Sequence, residues 1–144
     1  MSDTYQTNIP PGILLRAMDT AQHKLARYHQ LQTMTSDPED IEMFRQISED
    51  QNRQLSDFMK LYSSLFGGRL SLSPPLTPQI SSFARGVQDA FADEVETSTL
   101  FNNIVFTDSD PEVRNVFMRA LQEDNKHLSE LNYMLSKLIF QSLQ

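Results

Sequence analysis

Two residues in this chain have the types and spacing to share one cation: Asp124 and His127. They stand three apart, and helix positions i and i+3 share a face, so both side chains reach one point. A carboxylate and an imidazole are donors for Fe, Mn or Zn. The sequence holds no cysteine, which excludes disulfides, thiolate-held zinc and iron–sulfur clusters. Only oxygen and imidazole chemistry remains for a metal.

The other residues able to do chemistry read as structural. His23 and His29 fall off the inward stripe and belong to the surface, and Glu96 points away from Glu94. Ser48-Glu49-Asp50 reads as a solvated face. Glu39, Asp40, Asp110 and Glu112 sit at helix N-termini, where the helix dipole favours acids. Tyr28 and Tyr62 read as core packing, and the methionines as core or interface filler. The sequence has no Gly-rich phosphate loop, Ser/His/Asp arrangement or cysteine nucleophile.

An internal repeat positions the pair. Residues 36–65 and 109–138 align without a gap at an offset of 73, with ten of thirty positions identical. Both copies open on Ser-Asp-Pro-Glu. They share Phe44/Phe117, Asn52/Asn125, Leu55/Leu128, Ser56/Ser129, Ser63/Ser136 and Leu65/Leu138. Within the repeat Gln51-x-x-Gln54 lies over Asp124-x-x-His127, so one copy has ligand residues where the other has amides.

The periodicity predicts four long helices and no strands. After a loose arm over residues 1–10, Leu14, Met18, Ala21, Leu25 and Tyr28 mark one helical face. Ser36-Asp37-Pro38-Glu39 opens a second helix as a capping box with proline at the first position. That helix buries Phe44, Ile47, Gln51, Leu55, Phe58, Tyr62 and Leu65, and stops at Gly67-Gly68. A third is expected from Thr77-Pro78, with Ile80, Phe83, Val87, Phe91, Glu94, Ser98, Phe101 and Ile104 inward. The fourth opens at Ser109-Asp110-Pro111-Glu112 and turns Val116, Ala120, Asp124, His127, Leu131, Leu135 and Leu138 inward.

The expected domain is one bundle over 11–144, with hairpins 11–66 and 77–143 joined by a crossover at 67–77. A helix of about 29 residues is roughly 43 Å long, and an extended connection of about eleven residues covers roughly 36–40 Å. The short, long, short loop pattern therefore favours two hairpins and a crossover over an up-down-up-down bundle.

These features resemble the ferritin-like superfamily, especially rubrerythrin-type bundles. The resemblance rests on Glu94 seven residues before the aromatic Phe101, on Asp124-x-x-His127, and on the same register at Ala21, Gln51 and Gln54. It implies an all-α, ferritin-like four-helix bundle with a di-metal centre in which the trio Glu94, Asp124 and His127 can still ligate, as two carboxylates and one imidazole, and Ala21, Gln51 and Gln54 are the degenerate counterparts. With half the ligands gone, a di-iron ferroxidase or peroxidase cycle is not expected. Two readings of the trio stay open. In one, Glu94, Asp124 and His127 form a metal-free hydrogen-bonded network, with His127 as the cation and Gln51 and Gln54 as donors, in a non-enzymatic structural or interaction protein. In the other they hold a single Fe, Mn or Zn ion, completed by water or Gln51, with weak redox activity. The fourth helix, PEVRNVFMRALQEDNKHLSELNYMLSK, also resembles coat-F-type spore proteins, which implies a structural role associated with a spore.

Bulk composition bounds the partners. A net charge of −7 and scattered basic residues argue against nucleic acid, which needs clustered Lys and Arg. No apolar run approaches the ~20 residues of a membrane span, and residues 1–12 lack a signal-peptide pattern. A cytoplasmic protein is expected, with homodimerisation as the oligomeric expectation.

Overall fold

The computed structural model describes residues 9–68 and 70–144. They form four helices: α1 (Pro11–Thr33), α2 (Pro38–Phe66), α3 (Phe83–Thr107) and α4 (Pro111–Ser142). No strand occurs among the described residues. Most of the expected arm lies outside them, but Ile9 is buried in the core.

Proline sets three of the four helix starts, because its missing N–H is unneeded in the first turn. The residue before it then becomes the cap. Asp37 accepts from the backbone N–H groups of Glu39 and Asp40, and Asp110 from that of Glu112. The caps are therefore these aspartates, one position later than the expected box opening at Ser36 and Ser109.

The third helix begins at Phe83, not after Thr77, and its cap is the Ser82 hydroxyl, which accepts from the Arg85 N–H. The reason is where Ile80 goes: it packs onto Gly86 and the apolar cluster at that end of the bundle, so the chain before Ser82 folds over the helix start instead of extending it. The rings of Phe44 and Phe83 lie 6.0 Å apart and those of Phe58 and Phe101 5.7 Å, so α2 and α3 run parallel. The connection therefore runs back along α2 from Phe66 to the level of Phe44, 22 residues or roughly 33 Å. The sixteen residues between Phe66 and Phe83 reach about 53 Å when extended. Leu70 and Leu72 pack on the apolar cluster at one end of the bundle, and Ile80 on the cluster at the other.

Within each hairpin the helices are antiparallel and pack along their length. Between hairpins, α1 lies against α3 and α2 against α4. The second seam is a ladder of polar contacts in antiparallel register: Asp40–Lys137, Asp50–His127, Arg53–Glu123 and Ser64–Glu112. Gly86 marks the tightest approach to α1, since a Cβ there would stand 2.6 Å from Leu31 Cδ2 and 2.8 Å from Ile80 Cγ2.

The core has two apolar ends. Leu14, Met18, Phe58, Leu61, Phe101 and Phe117 fill one, and Leu31, Phe44, Ile47, Val87, Leu131 and Met134 fill the other. The stripes differ in detail from the expected ones. Gln54, Leu61, Phe117 and Met134 are buried, whereas Leu55, Tyr62, Val116 and Leu135 are half-buried at the helix seams. Between the two apolar ends lies a polar layer. Because Phe58 packs against Phe101 and Phe117 (5.7 and 5.1 Å), Phe58→Ala should lower stability by about 3–5 kcal/mol. Urea unfolding should show a reduced midpoint with an unchanged slope.

Candidate functional site

The polar layer brings the predicted trio together. Glu94, Asp124 and His127 are fully buried, and one ligand atom from each lies within 4.8 Å of the others. Helical register does this: α3 supplies Glu94, and one turn of α4 supplies Asp124 and His127. The three degenerate positions also face this layer. Ala21 is buried on α1, and Gln51 and Gln54 are buried on α2, with their amides directed at Asp124 Oδ1 at 3.5 and 3.3 Å.

One residue central to the site was not predicted. Lys24, only 4% exposed, directs its ammonium at Glu94 Oε2 (3.1 Å) and stands 3.9 Å from Asp124 Oδ2. The wall opposite the trio thus carries a cation beside the expected amides. The expected face of α1 placed Leu25 inward, yet Leu25 is half-buried and Lys24 takes the interior. A signal was present, since Lys24 lies three residues after Ala21 and four before Tyr28, on the same helical face. A count of apolar residues passes over a lysine.

Two further groups complete the layer. Tyr28 donates its hydroxyl proton to Glu94 Oε1 at 2.5 Å, so it does more than pack. Asp50 overturns the reading of Ser48-Glu49-Asp50 as a solvated face. Its Oδ2 lies 2.9 Å from His127 Nε2, Arg53 donates to its Oδ1, and Ser48 is buried, which leaves only Glu49 fully in solvent. The reason is the α2·α4 seam, which turns Asp50 toward His127. His23, His29 and Glu96 are on the surface as expected.

The electrostatics follow from burial opposed by pairing. Burial works to raise the Glu94 carboxyl, but Lys24 and His127 more than offset it and hold the group at about 2. Asp124 has the weaker cation contact, and burial pushes it up to about 7. Burial works to lower His127, yet Glu94 and Asp50 keep it above its ordinary value. Burial and the charge of Glu94 raise the Tyr28 hydroxyl well above its usual range. Glu94 is the settled anion of the layer, and Asp124 is the member that titrates.

A single ion would find Glu94, Asp124 and His127 Nδ1 as ligands. Two observations fit one. His127 Nδ1, Asp124 Oδ2 and the Gln51 carbonyl oxygen are buried without a hydrogen-bond partner. Asp50 on Nε2 orients the ring so that Nδ1 faces the two acids, as carboxylates behind metal-bound histidines do. Against it stands the Lys24 ammonium, which already engages both acids.

No family model matches the chain. It is 28% identical over 109 residues to the uncharacterized protein YhjR of Bacillus subtilis (strain 168), an overlap of 75% of this chain and 74% of that protein. A solved structure from Anabaena variabilis, a two-domain protein with DJ-1/ThiJ/PfpI-like and ferritin-like domains, matches with a TM-score of 0.67 at 15% identity. The match takes in 91% of this chain and 38% of that one, so the chain spans well under half the length of its two-domain neighbour. At that identity the likeness carries the fold, and the fold is an all-α, ferritin-like four-helix bundle. The coat-F-type resemblance has no counterpart in these comparisons.

Two outcomes test the layer. Lys24→Met leaves two buried acids without their cation and should cost about 3–5 kcal/mol, and adding Glu94→Gln should recover most of it. A denaturation double-mutant cycle reads this directly.

The pH response has a definite sign. Asp124 keeps its proton in the folded state between its ordinary 3.8 and about 7, so stability falls as pH rises across that window. His127 adds stability that is complete below its ordinary 6.5 and is lost as pH climbs through its raised folded value. The contribution of Glu94 is present above its ordinary 4.5 and is lost as pH falls toward about 2. Urea midpoints should therefore decline from mildly acidic to neutral pH, and Asp124→Asn should flatten that decline.

Proposed function

We propose that this protein is a non-enzymatic structural or interaction bundle, in which a ferritin-like interior uses its own lysine where a metal would otherwise balance the acids. The carrying observation is the Lys24 ammonium at 3.1 Å from Glu94 and 3.9 Å from Asp124. An ammonium fixed to α1 supplies the positive charge that buried carboxylates require. The Gln51 and Gln54 amides, which occupy ligand positions, donate hydrogen bonds to Asp124 instead. In this reading the layer fixes the register of the four helices, and function resides on the outer surface.

A second reading has one specific observation in its favour, the unpartnered His127 Nδ1 with Asp50 on the far ring nitrogen. There Glu94, Asp124 and His127 hold one Fe, Mn or Zn ion, and the ion supplies weak redox or Lewis-acid chemistry. Lys24 has to leave the acids before they can take that ion.

The two readings separate in one experiment. Chain purified without chelators is equilibrated with Zn, Mn or Fe(II), desalted and analysed for metal, beside Lys24→Met and Asp124→Ala/His127→Ala. The first reading expects no retained ion in the native chain. It also expects stoichiometric uptake by Lys24→Met, with a thermal midpoint that climbs with ion concentration. Stoichiometric metal in the native chain, absent from the Asp124→Ala/His127→Ala variant, would establish the second.

A further inference from the structure

Most charged side chains of α3 and α4 are turned to the seams between the hairpins. On α3, Asp93 pairs with Arg27 and Glu96 with Arg16, both on α1. On α4, Glu123 pairs with Arg53, Arg119 with Asp57, and Lys137 with Asp37 and Asp40, all on α2. Two pairs stay within one helix, Arg85–Asp89 near the start of α3 and Lys126–Glu130 on α4.

The outward face of the α3·α4 hairpin has the opposite character. Along α4 it runs from Asn115 through Met118, Gln122, Asn125, Ser129 and Asn132 to Ser136, at helical spacing of three and four with no charged member. Along α3 it runs through Ala92, Val95, Thr99, Asn102 and Phe106, again uncharged. Ser98 Oγ, 3.4 Å from Asn125 Oδ1, sets the two helices side by side here. Arg114, at one end, is turned back onto the Val105 carbonyl oxygen. Three apolar side chains stand out from this polar field: Val95 (45% exposed), Phe106 (79%) and Met118 (39%). The outer side of the α1·α2 hairpin differs, with Asp19, Glu42, Arg45, Glu49 and Lys60 in solvent.

We propose that the α3·α4 face docks a second copy of this chain about a two-fold axis. A molecule of net charge −7 repels itself, and an uncharged face is where two copies meet without opposing like charges. The chemistry is also self-complementary. Asn and Gln amides and Ser and Thr hydroxyls each both donate and accept, so a surface made of them can pair with itself, as a two-fold contact requires. The dimensions suit it. The uncharged run covers 15 residues on α3 and 22 on α4, about 22–33 Å of length, and two adjacent helices are about 20 Å wide. The product, about 450–650 Å², reaches the ~600 Å² per partner at the lower end of specific interfaces. The exposed Val95, Phe106 and Met118 supply the apolar anchors of that contact.

Sedimentation equilibrium of the full chain tests this, with far-UV circular dichroism confirming that each variant is folded. The native chain should be a dimer. Thr99→Glu with Ser129→Glu places like charges across the axis and should raise the dissociation constant by about 10–100-fold, with helix content unchanged. Thr99→Lys with Ser129→Lys should weaken self-association in the same way, and mixing the Glu and Lys chains should restore a dimer. Ser56→Glu, on the outer side of α2, should leave the native dimer intact. A monomeric native chain, a dimer indifferent to the α3·α4 charges, or a dimer lost equally on Ser56→Glu would overturn the assignment.

Discussion

Two carboxylates sit at the middle of this bundle with no solvent contact, and a cation has to meet them there. Lys24 does so from α1, and the other members of the layer arrange themselves around that contact. An isolated buried carboxylate either finds a positive partner or takes up a proton, and both solutions appear side by side. Glu94, with the ammonium at 3.1 Å and the Tyr28 hydroxyl on its other oxygen, stays ionised. Asp124, with the ammonium at 3.9 Å and two neutral amides, holds a proton up to about 7. A tethered ammonium also differs from a diffusible ion in one practical respect. It is present at every metal concentration, so folding of the layer does not wait on supply.

The same economy of charge explains how the hairpins find each other. Within a hairpin the contact is mostly apolar and tolerant of small slips. Between hairpins, ionic and polar pairs recur along both seams, from Asp40–Lys137 through Asp50–His127 to Ser64–Glu112 on one, and from Arg16–Glu96 to Arg27–Asp93 on the other. Exposed pairs of this kind contribute little stability each, at about 0–1 kcal/mol. A one-turn slip, however, would set many of them against wrong partners at once. Their contribution is register, and register is what brings Lys24 opposite Glu94.

How much of this was legible in the sequence depended on which rule applied. The repeat and the i, i+3 spacing exposed Asp124 and His127, because these signals depend only on helical geometry, whereas Glu94 was reached through the ferritin-like resemblance, seven residues before Phe101. The length of the crossover was misjudged because Thr77-Pro78 has the local chemistry of a helix start. Ile80, packed onto Gly86 and the apolar cluster at that end, moves the start to Ser82. Lys24 and Asp50 were missed for a common reason. Each is a charged residue whose burial is decided by a partner on another helix, Glu94 for one and His127 for the other. No local pattern records a partner 70 or 77 residues away. The aligned acids Asp50 and Glu123 did hint that this position of the repeat faces a seam, since both turned out to bond across it.

Ala21 and Lys24 are best understood together. Position 21 on α1 has only a methyl group, and one turn later the chain places a long flexible cation on the same helical face. On α3 the corresponding pair is reversed, with the acid Glu94 followed three residues later by the short Thr97. A carboxylate at 21 would add a third acid to the buried layer, and a lysine at 97 would bring a second ammonium toward it. Either change alone unbalances the interior. The two hairpins are thus complementary in charge at this level. The small residue on α1 leaves room for the long one, whose ammonium then reaches the buried acid of α3.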